Sequence, residues 1–205
     1  MEKGHGQRGG ARGTRERAMD VAEARLAGVG YLGVSLEEVA REVGVSKPAL
    51  YYHFPGGKEQ LFVEIAHRAL KQHREGLERA ISSAGTTGEE KLRAAARWLM
   101  AERDPRQPMD ELRDVAKFVH EQHRAGLGEG FSRALYGPIR RVISSAIESG
   151  ELRDNDPDFL TWSFLSLSSG LMEIEHTPPN SPILPEDGAD LPDRMVDLFL
   201  GGARA

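Results

Sequence analysis

Apolar positions recur along most of the chain at three- and four-residue spacing, the period that places side chains on one face of an α-helix. Met19, Ala22, Leu26 and Val29 form the first stripe, which the glycines at 28 and 30 bring to an end. Thr14 is the expected cap at its start. Met1 to Gly13, rich in Gly, Arg and Lys and without periodic apolar residues, is then a flexible basic arm. Ser35 precedes Leu36, Val39, Ala40 and Val43, with Glu38 three residues on in the arrangement of a capping box. Gly44 supplies the positive φ that closes this second helix, and Ser46 caps a third beginning Lys47-Pro48, where the missing proline N–H would have had no helical partner. Leu50 and Phe54 point inward, and Pro55-Gly56-Gly57 ends the helix.

From Lys58 a longer pattern runs through Leu61, Ile65 and Ala69 toward Ser82. Leu92, Ala96 and Leu99 mark another helix, stopped by Asp104-Pro105. Leu112, Val115, Ala116 and Val119 mark the next, with Pro108 near its start, and Phe131, Leu135, Ile139, Val142 and Ala146 a further one ending at Gly150. Asp156-Pro157 opens a helix bearing Leu160, Phe164, Leu167 and Leu171, whose other faces are so poor in charge that burial on several sides is expected. A Pro-rich loop from Thr177 to Pro192 precedes a last helix carrying Leu191, Met195, Leu198 and Phe199. No segment alternates with period two long enough for a strand. The fold class is all-α with about nine helices: a three-helix unit over residues 14–57, then a larger helical domain over 58–205.

Composition removes several function classes. The chain of 205 residues contains no cysteine, which excludes disulfides, thiolate metal sites and cysteine nucleophiles. No run reaches the ~18–20 apolar residues of a membrane span, and the first residues lack the apolar core of a signal peptide, so a cytoplasmic protein is expected. There is no Gly-rich phosphate loop after a strand, no nucleophile elbow and no His-Glu metal motif, so neither an enzyme nor a cofactor is expected. Asp104, Asp110, Glu111 and Asp114 read as an ordinary helix surface. His120 and His123 fall at i and i+3 on one helix beside Glu121, with His67 and His73 elsewhere, but no third ligand has diagnostic spacing; they read as a solvated face and no metal site is expected. The net charge of −5 is unevenly spread, +2 over residues 1–58 against −7 over 59–205. A basic end on an acidic body suits a protein that orients on DNA.

The decisive unit is Ser35 to Phe54. Small Ala40 allows two helices to approach closely, Gly44 makes the turn four residues later, and Val39, Val43, Val45 and Leu50 pack the pair as a helix-turn-helix. One face of the third helix stays free, with Lys47, Ala49, Tyr51, Tyr52 and His53 able to meet phosphates or base edges. The sequence here closely resembles the tetracycline-repressor (TetR/AcrR) family of bacterial regulators. The resemblance rests on Gly30-Tyr31, the Ser35-to-Ala40 helix start, Gly44-Val45-Ser46, Leu50-Tyr51-Tyr52-His53-Phe54 and Lys58-Glu59-Gln60-Leu61-Phe62.

It implies a homodimer that binds a palindromic operator in double-stranded DNA, usually as a repressor, and releases it when a small molecule enters the C-terminal domain. It also implies DNA contacts from Ser35, Ser46, Lys47, Pro48, Ala49, Tyr51, Tyr52, His53 and Lys58, although three residues rather than the usual two separate Phe54 from Lys58. The last two apolar helices are expected to form the dimer interface through Leu160, Phe164, Leu167, Leu171, Met195 and Phe199. Trp98, Phe118, Phe131, Tyr136 and Trp162 could line an apolar effector pocket, suited to an apolar compound or an acyl thioester, or could be core residues. Arg8, Arg12 and Arg15 of the arm could add unspecific phosphate affinity. A DNA-binding dimer without a sensor is the alternative; the roughly 140 further helical residues exceed what dimerisation alone needs.

Overall fold

The computed structural model describes residues 8–101, 115, 117–175 and 191–203. They form α1 (Arg8–Gly33), α2 (Leu36–Val43), α3 (Lys47–His53), α4 (Gly57–Ser83), α5 (Gly88–Met100), α6 (Glu121–Phe131), a π-helical turn (Ser132–Tyr136), α7 (Gly137–Glu148), α8 (Pro157–Glu175) and α9 (Leu191–Ala203). No strand occurs among the described residues, and the protein is all-α. The expected stop at Asp104-Pro105, the helix through Leu112 and Ala116, and the loop from Thr177 to Asp190 lie outside the described residues. Pro192, expected in that loop, stands in the first turn of α9.

The start of α1 departs from expectation. Thr14 is not its cap, because the helix already runs from Arg8 and takes in the last part of the supposed arm. At the other end Gly30 (φ 66, ψ 172) breaks the helical path, as the glycine pattern suggests, and one further turn carries Tyr31 to Gly33.

The chain divides into two compact units, one within Met1–Ala69 and Arg103–Glu129, the other within Leu70–Glu102 and Gly130–Ala205. The division falls inside α4 instead of at the expected residue 57, and side-chain pairing gives the reason. Arg15 on α1 bonds Glu64 on α4 and lies 5.2 Å over the Phe54 ring. Arg68, also on α4, gathers three α1 carboxylates: Glu16 at 3.3 Å, Asp20 at 2.7 Å and Glu23 at 2.6 Å. Charge-assisted bonds of this kind tie the first half of α4 to α1. Arg15, one of the arginines considered for phosphate affinity, is thus engaged within the unit. The apolar centre of the unit is Met19, Ala22, Leu26, Val39, Leu50, Phe54, Leu61, Phe62 and Ile65, all buried.

The second unit packs α5, α7, α8 and α9 around Leu77, Leu92, Ile139, Ile143, Phe164, Met195 and Val196. α5 starts at a true capping box: Thr87 accepts from the Glu90 amide at 3.2 Å while the Glu90 carboxylate accepts from the Thr87 amide at 3.0 Å. Arg93 and Arg97 on α5 pair with Asp193 on α9 at 3.3 and 2.8 Å. α4 and α5 meet closely at Gly76, where an added Cβ would lie 2.4 Å from the Trp98 ring, so only glycine lets the indole lie flat on the helix.

Candidate nucleic-acid interface

The geometry of α2 and α3 follows from their caps and one turn. Ser35 accepts from the Glu37 amide at 3.3 Å, and Ser46 from the Ala49 amide at 3.3 Å. The capping box expected at Ser35 and Glu38 does not form. The Glu38 carboxylate instead accepts from Arg25 on α1 at 2.7 Å, and Glu42 from the same guanidinium at 3.0 Å. A charged donor outcompetes a neutral amide for a carboxylate. Gly44 (φ 78, ψ 33) takes the left-handed conformation, its amide reaching the Arg41 carbonyl, and the Val45 amide returns to the Ala40 carbonyl at 2.9 Å.

α3 is thereby held with one side down. Leu50 and Phe54 are fully buried, while Ser46, Lys47, Pro48, Tyr51 and Tyr52 are exposed; Ser35, Ala49, His53 and Lys58 are intermediate. Tyr52 is 82% exposed, an unusual setting for an aromatic ring unless something covers it. The His53 imidazole lies 5.7 Å from it, edge to face. Of the side chains expected at the DNA, those from Ser46 to His53 lie along α3, with Ser35 at the start of α2 and Lys58 on α4.

Two features were not anticipated from the sequence. Lys47 at the start of α3 faces Glu37 in the first turn of α2, with Nζ and Oε2 3.8 Å apart. Lys58 is turned back onto α1: its ammonium donates to the Leu32 carbonyl at 3.3 Å and stands 4.5 Å over the Tyr31 ring, and burial pushes its pKa down. The ammonium is bound to a protein acceptor and forms a clamp between α4 and the end of α1.

Next to that clamp, Glu59 accepts from the His120 amide at 2.7 Å and lies 2.5 Å from its Nδ1, with His123 Nε2 at 3.7 Å. The His120 amide holds the Glu59 carboxyl below its ordinary pKa, burial works the other way, and the His120 ring adds to the lowering. Phe118 stacks on Tyr31 with centroids 5.3 Å apart and planes 8° from parallel. His120 precedes α6 and His123 stands in its first turn, so the two do not share one helix as their spacing suggests. No cluster of three or more metal-type ligands occurs among the described residues.

The aromatic residues expected at an effector pocket each have a neighbour within their own unit. Trp98 packs on His73, Phe118 on Tyr31, Phe131 on the core of the second unit, and Tyr136 touches Trp162 while donating to Asp158 at 2.5 Å. A described cavity of about 500 Å³ in the second unit has a different lining, with Glu78, Lys91, Arg141, Ser145 and Glu151 beside Val142. The dimer expectation also changes. Leu160, Phe164, Met195 and Phe199 are buried inside their own unit, the Phe164 and Phe199 rings 5.4 Å apart, and side chains already covered cannot meet a partner. Leu167 and Leu171 are partly buried against the same core. Among the residues whose side chains are described, the large exposed apolar ones on α8 and α9 are Phe159, Trp162 and Leu198, at 61, 53 and 69%.

The sequence profile of the bacterial regulatory proteins of the tetR family matches residues 18–65, from the middle of α1 through the helix-turn-helix to the start of α4. Over this segment the chain is similar to that family. Within it the chain is similar to the HTH-type transcriptional regulator LmrA of Bacillus subtilis (strain 168), 43% identical over 54 residues. That match covers 26% of this chain and 29% of LmrA. The fold extends further than the sequence likeness. A protein from Saccharomonospora viridis solved in complex with choline superposes with a TM-score of 0.77 at 18% identity, covering 95% of this chain and 99% of the other. AibR, solved with isovaleryl coenzyme A and operator DNA, gives 0.64 at 22% identity over 92% of this chain and 97% of its own. The likeness in fold thus covers nearly all of this chain, whereas the matched family profile covers residues 18–65.

Proposed function

We propose that the protein is a ligand-responsive transcriptional regulator, a repressor that binds a palindromic operator as a homodimer and releases it when a small molecule binds. The observation that carries this reading is α3: a short helix fixed by buried Leu50 and Phe54, with Lys47, Tyr51 and Tyr52 turned outward. A lysine and two tyrosines offer an ammonium, two hydroxyls and two ring faces, which suit phosphate oxygens and thymine methyl groups. Ser35, Ser46, Pro48, Ala49 and His53 border the same surface, and Lys58 acts through the placement of α4. Residues 14–57 supply the DNA contacts and 58–205 the effector and dimer contacts, in the cytoplasm where the DNA is.

Phe159, Trp162 and Leu198 are the surface through which two copies pair. Two large exposed rings on α8 and an exposed leucine on α9 call for a cover, and a two-fold pairing would present two copies of α3 to successive turns of DNA, roughly 34–36 Å apart. The ligands of the two structural relatives, choline and isovaleryl coenzyme A, support a small organic effector, with an acyl thioester as our choice.

The test is selection from a pool of random duplexes by the full chain, followed by anisotropy titration of the winners. Wild type enriches a palindrome. Tyr52→Ala and Lys47→Ala each weaken binding on the order of tenfold while leaving the thermal midpoint in place, since both side chains are exposed. Undiminished affinity in both variants would remove α3 from the interface.

A further inference from the structure

The outward face of α3 has few groups that can tell one base pair from another. Pro48 and Ala49 have no side-chain hydrogen-bonding group, and a tyrosine hydroxyl both donates and accepts. The exception lies where α2 meets α3. Lys47 and Glu37 face each other with Nζ and Oε2 3.8 Å apart, their side chains 53 and 68% exposed. An ammonium only donates and a carboxylate only accepts. Such an exposed pair contributes little to stability, so its value to the fold is slight.

Side by side, the pair forms a donor next to an acceptor. In the major groove a G·C pair presents the reverse: guanine N7 and O6 accept, and the neighbouring cytosine N4 amino group donates. O6 and N4 are hydrogen-bonded to each other across the base pair and hence about 3 Å apart, close to the separation of the two protein groups. We propose that Glu37 and Lys47 together read one G·C base pair in each half-site, Lys47 on guanine and Glu37 on the cytosine amino group. The proposal rests on the DNA-binding reading given above.

The competing base pairs fit less well. In the reversed orientation the ammonium meets the amino group and the carboxylate meets O6 and N7, donor on donor and acceptor on acceptor. On A·T the carboxylate could reach adenine N6, but the lone pair of adenine N7 flanks that position. The ammonium would then have thymine O4 alone, beside the methyl group, where guanine offers two acceptors. Glu37 also carries a negative charge onto a surface that approaches phosphates. It should lower affinity for every sequence while raising the contrast between right and wrong ones, a form of selection by penalty.

Selection from a random duplex pool is run in parallel with the full-length wild type, Glu37→Ala and Glu37→Gln, with melting curves showing that each variant folds. The expected result is one guanine–cytosine position per wild-type half-site at which Glu37→Ala loses on the order of tenfold discrimination, binding the pool as a whole more tightly. Glu37→Gln moves the preference toward adenine, whose N6 and N7 suit an amide. Tighter binding by both variants with an unchanged consensus would overturn the proposal, since Glu37 would then act only as a repelling charge. Failure of the wild type to enrich any sequence would instead overturn the DNA-binding reading beneath it.

Discussion

Leu50 and Tyr52 stand two residues apart on α3 and meet opposite surroundings, one with no exposed surface and the other 82% exposed. The hydrophobic period makes Leu50 an inward residue without further help. It cannot say what an outward aromatic residue is for. Glu59 poses the same problem more sharply, because its partner is 61 residues away at His120 and no local spacing links them. Its depressed pKa has a definite consequence. A carboxyl that ionises more readily in the folded chain adds stability above its ordinary value of about 4.5, and that stability fades as pH falls through the lower folded value. Glu59→Gln is therefore expected to melt below the wild type at pH 6, and the two midpoints should converge as the pH falls below about 4.5. A gap that stays constant across this range would show that the charge on Glu59 does not matter to the contact.

Among the helices, those with regular apolar stripes and clear stop signals were legible in the sequence. Gly44 closes α2, Ser46 caps α3, and Asp156-Pro157 precedes α8, each for a local reason. Errors arose wherever a distant partner took over a local group. Glu38 left its expected capping box for Arg25, and Lys58 turned to Leu32. The Thr87-to-Glu90 box was present as a local pattern all along, and its carboxylate stays at home. Gly76 marks where element pairing depends on a missing side chain. Alanine there would gain helix propensity of ~1 kcal/mol, but its Cβ would fall 2.4 Å from a Trp98 ring already packed on His73, with centroids 4.3 Å apart. Overpacking of this kind costs ~1–3 kcal/mol and should win. Gly76→Ala should lower the thermal midpoint by a few degrees, and a midpoint above that of the wild type would show that Trp98 yields freely.

At the scale of the whole molecule, the all-α class was readable because periodicity is a property of each segment, while the compact units were not. Residue 57 looked like a boundary, yet Arg15 and Arg68 bind the first half of α4 into the same unit as α1. The apolar stripes of α8 and α9 suggest an interface, but a stripe records only that a face is covered. Leu160, Phe164, Met195 and Phe199 are covered from within, and only the exposed residues can reveal what remains for a partner. Replacing Trp162 with glutamate should convert the proposed homodimer to a monomer by light scattering and leave the helical spectrum unchanged; a dimer that persists would place the pairing surface elsewhere.

Trp98 and Trp162 are the two tryptophans of the chain. One lies against α4, the other stands at the surface. Silencing the outer indole with Trp162→Phe would leave a single indole emitter, selectively excited at the red edge of the absorption, at the junction of α4 and α5. Its colour and lifetime would report any rearrangement there without an attached dye, and the cysteine-free background leaves a second, chemically unique label to be placed at will.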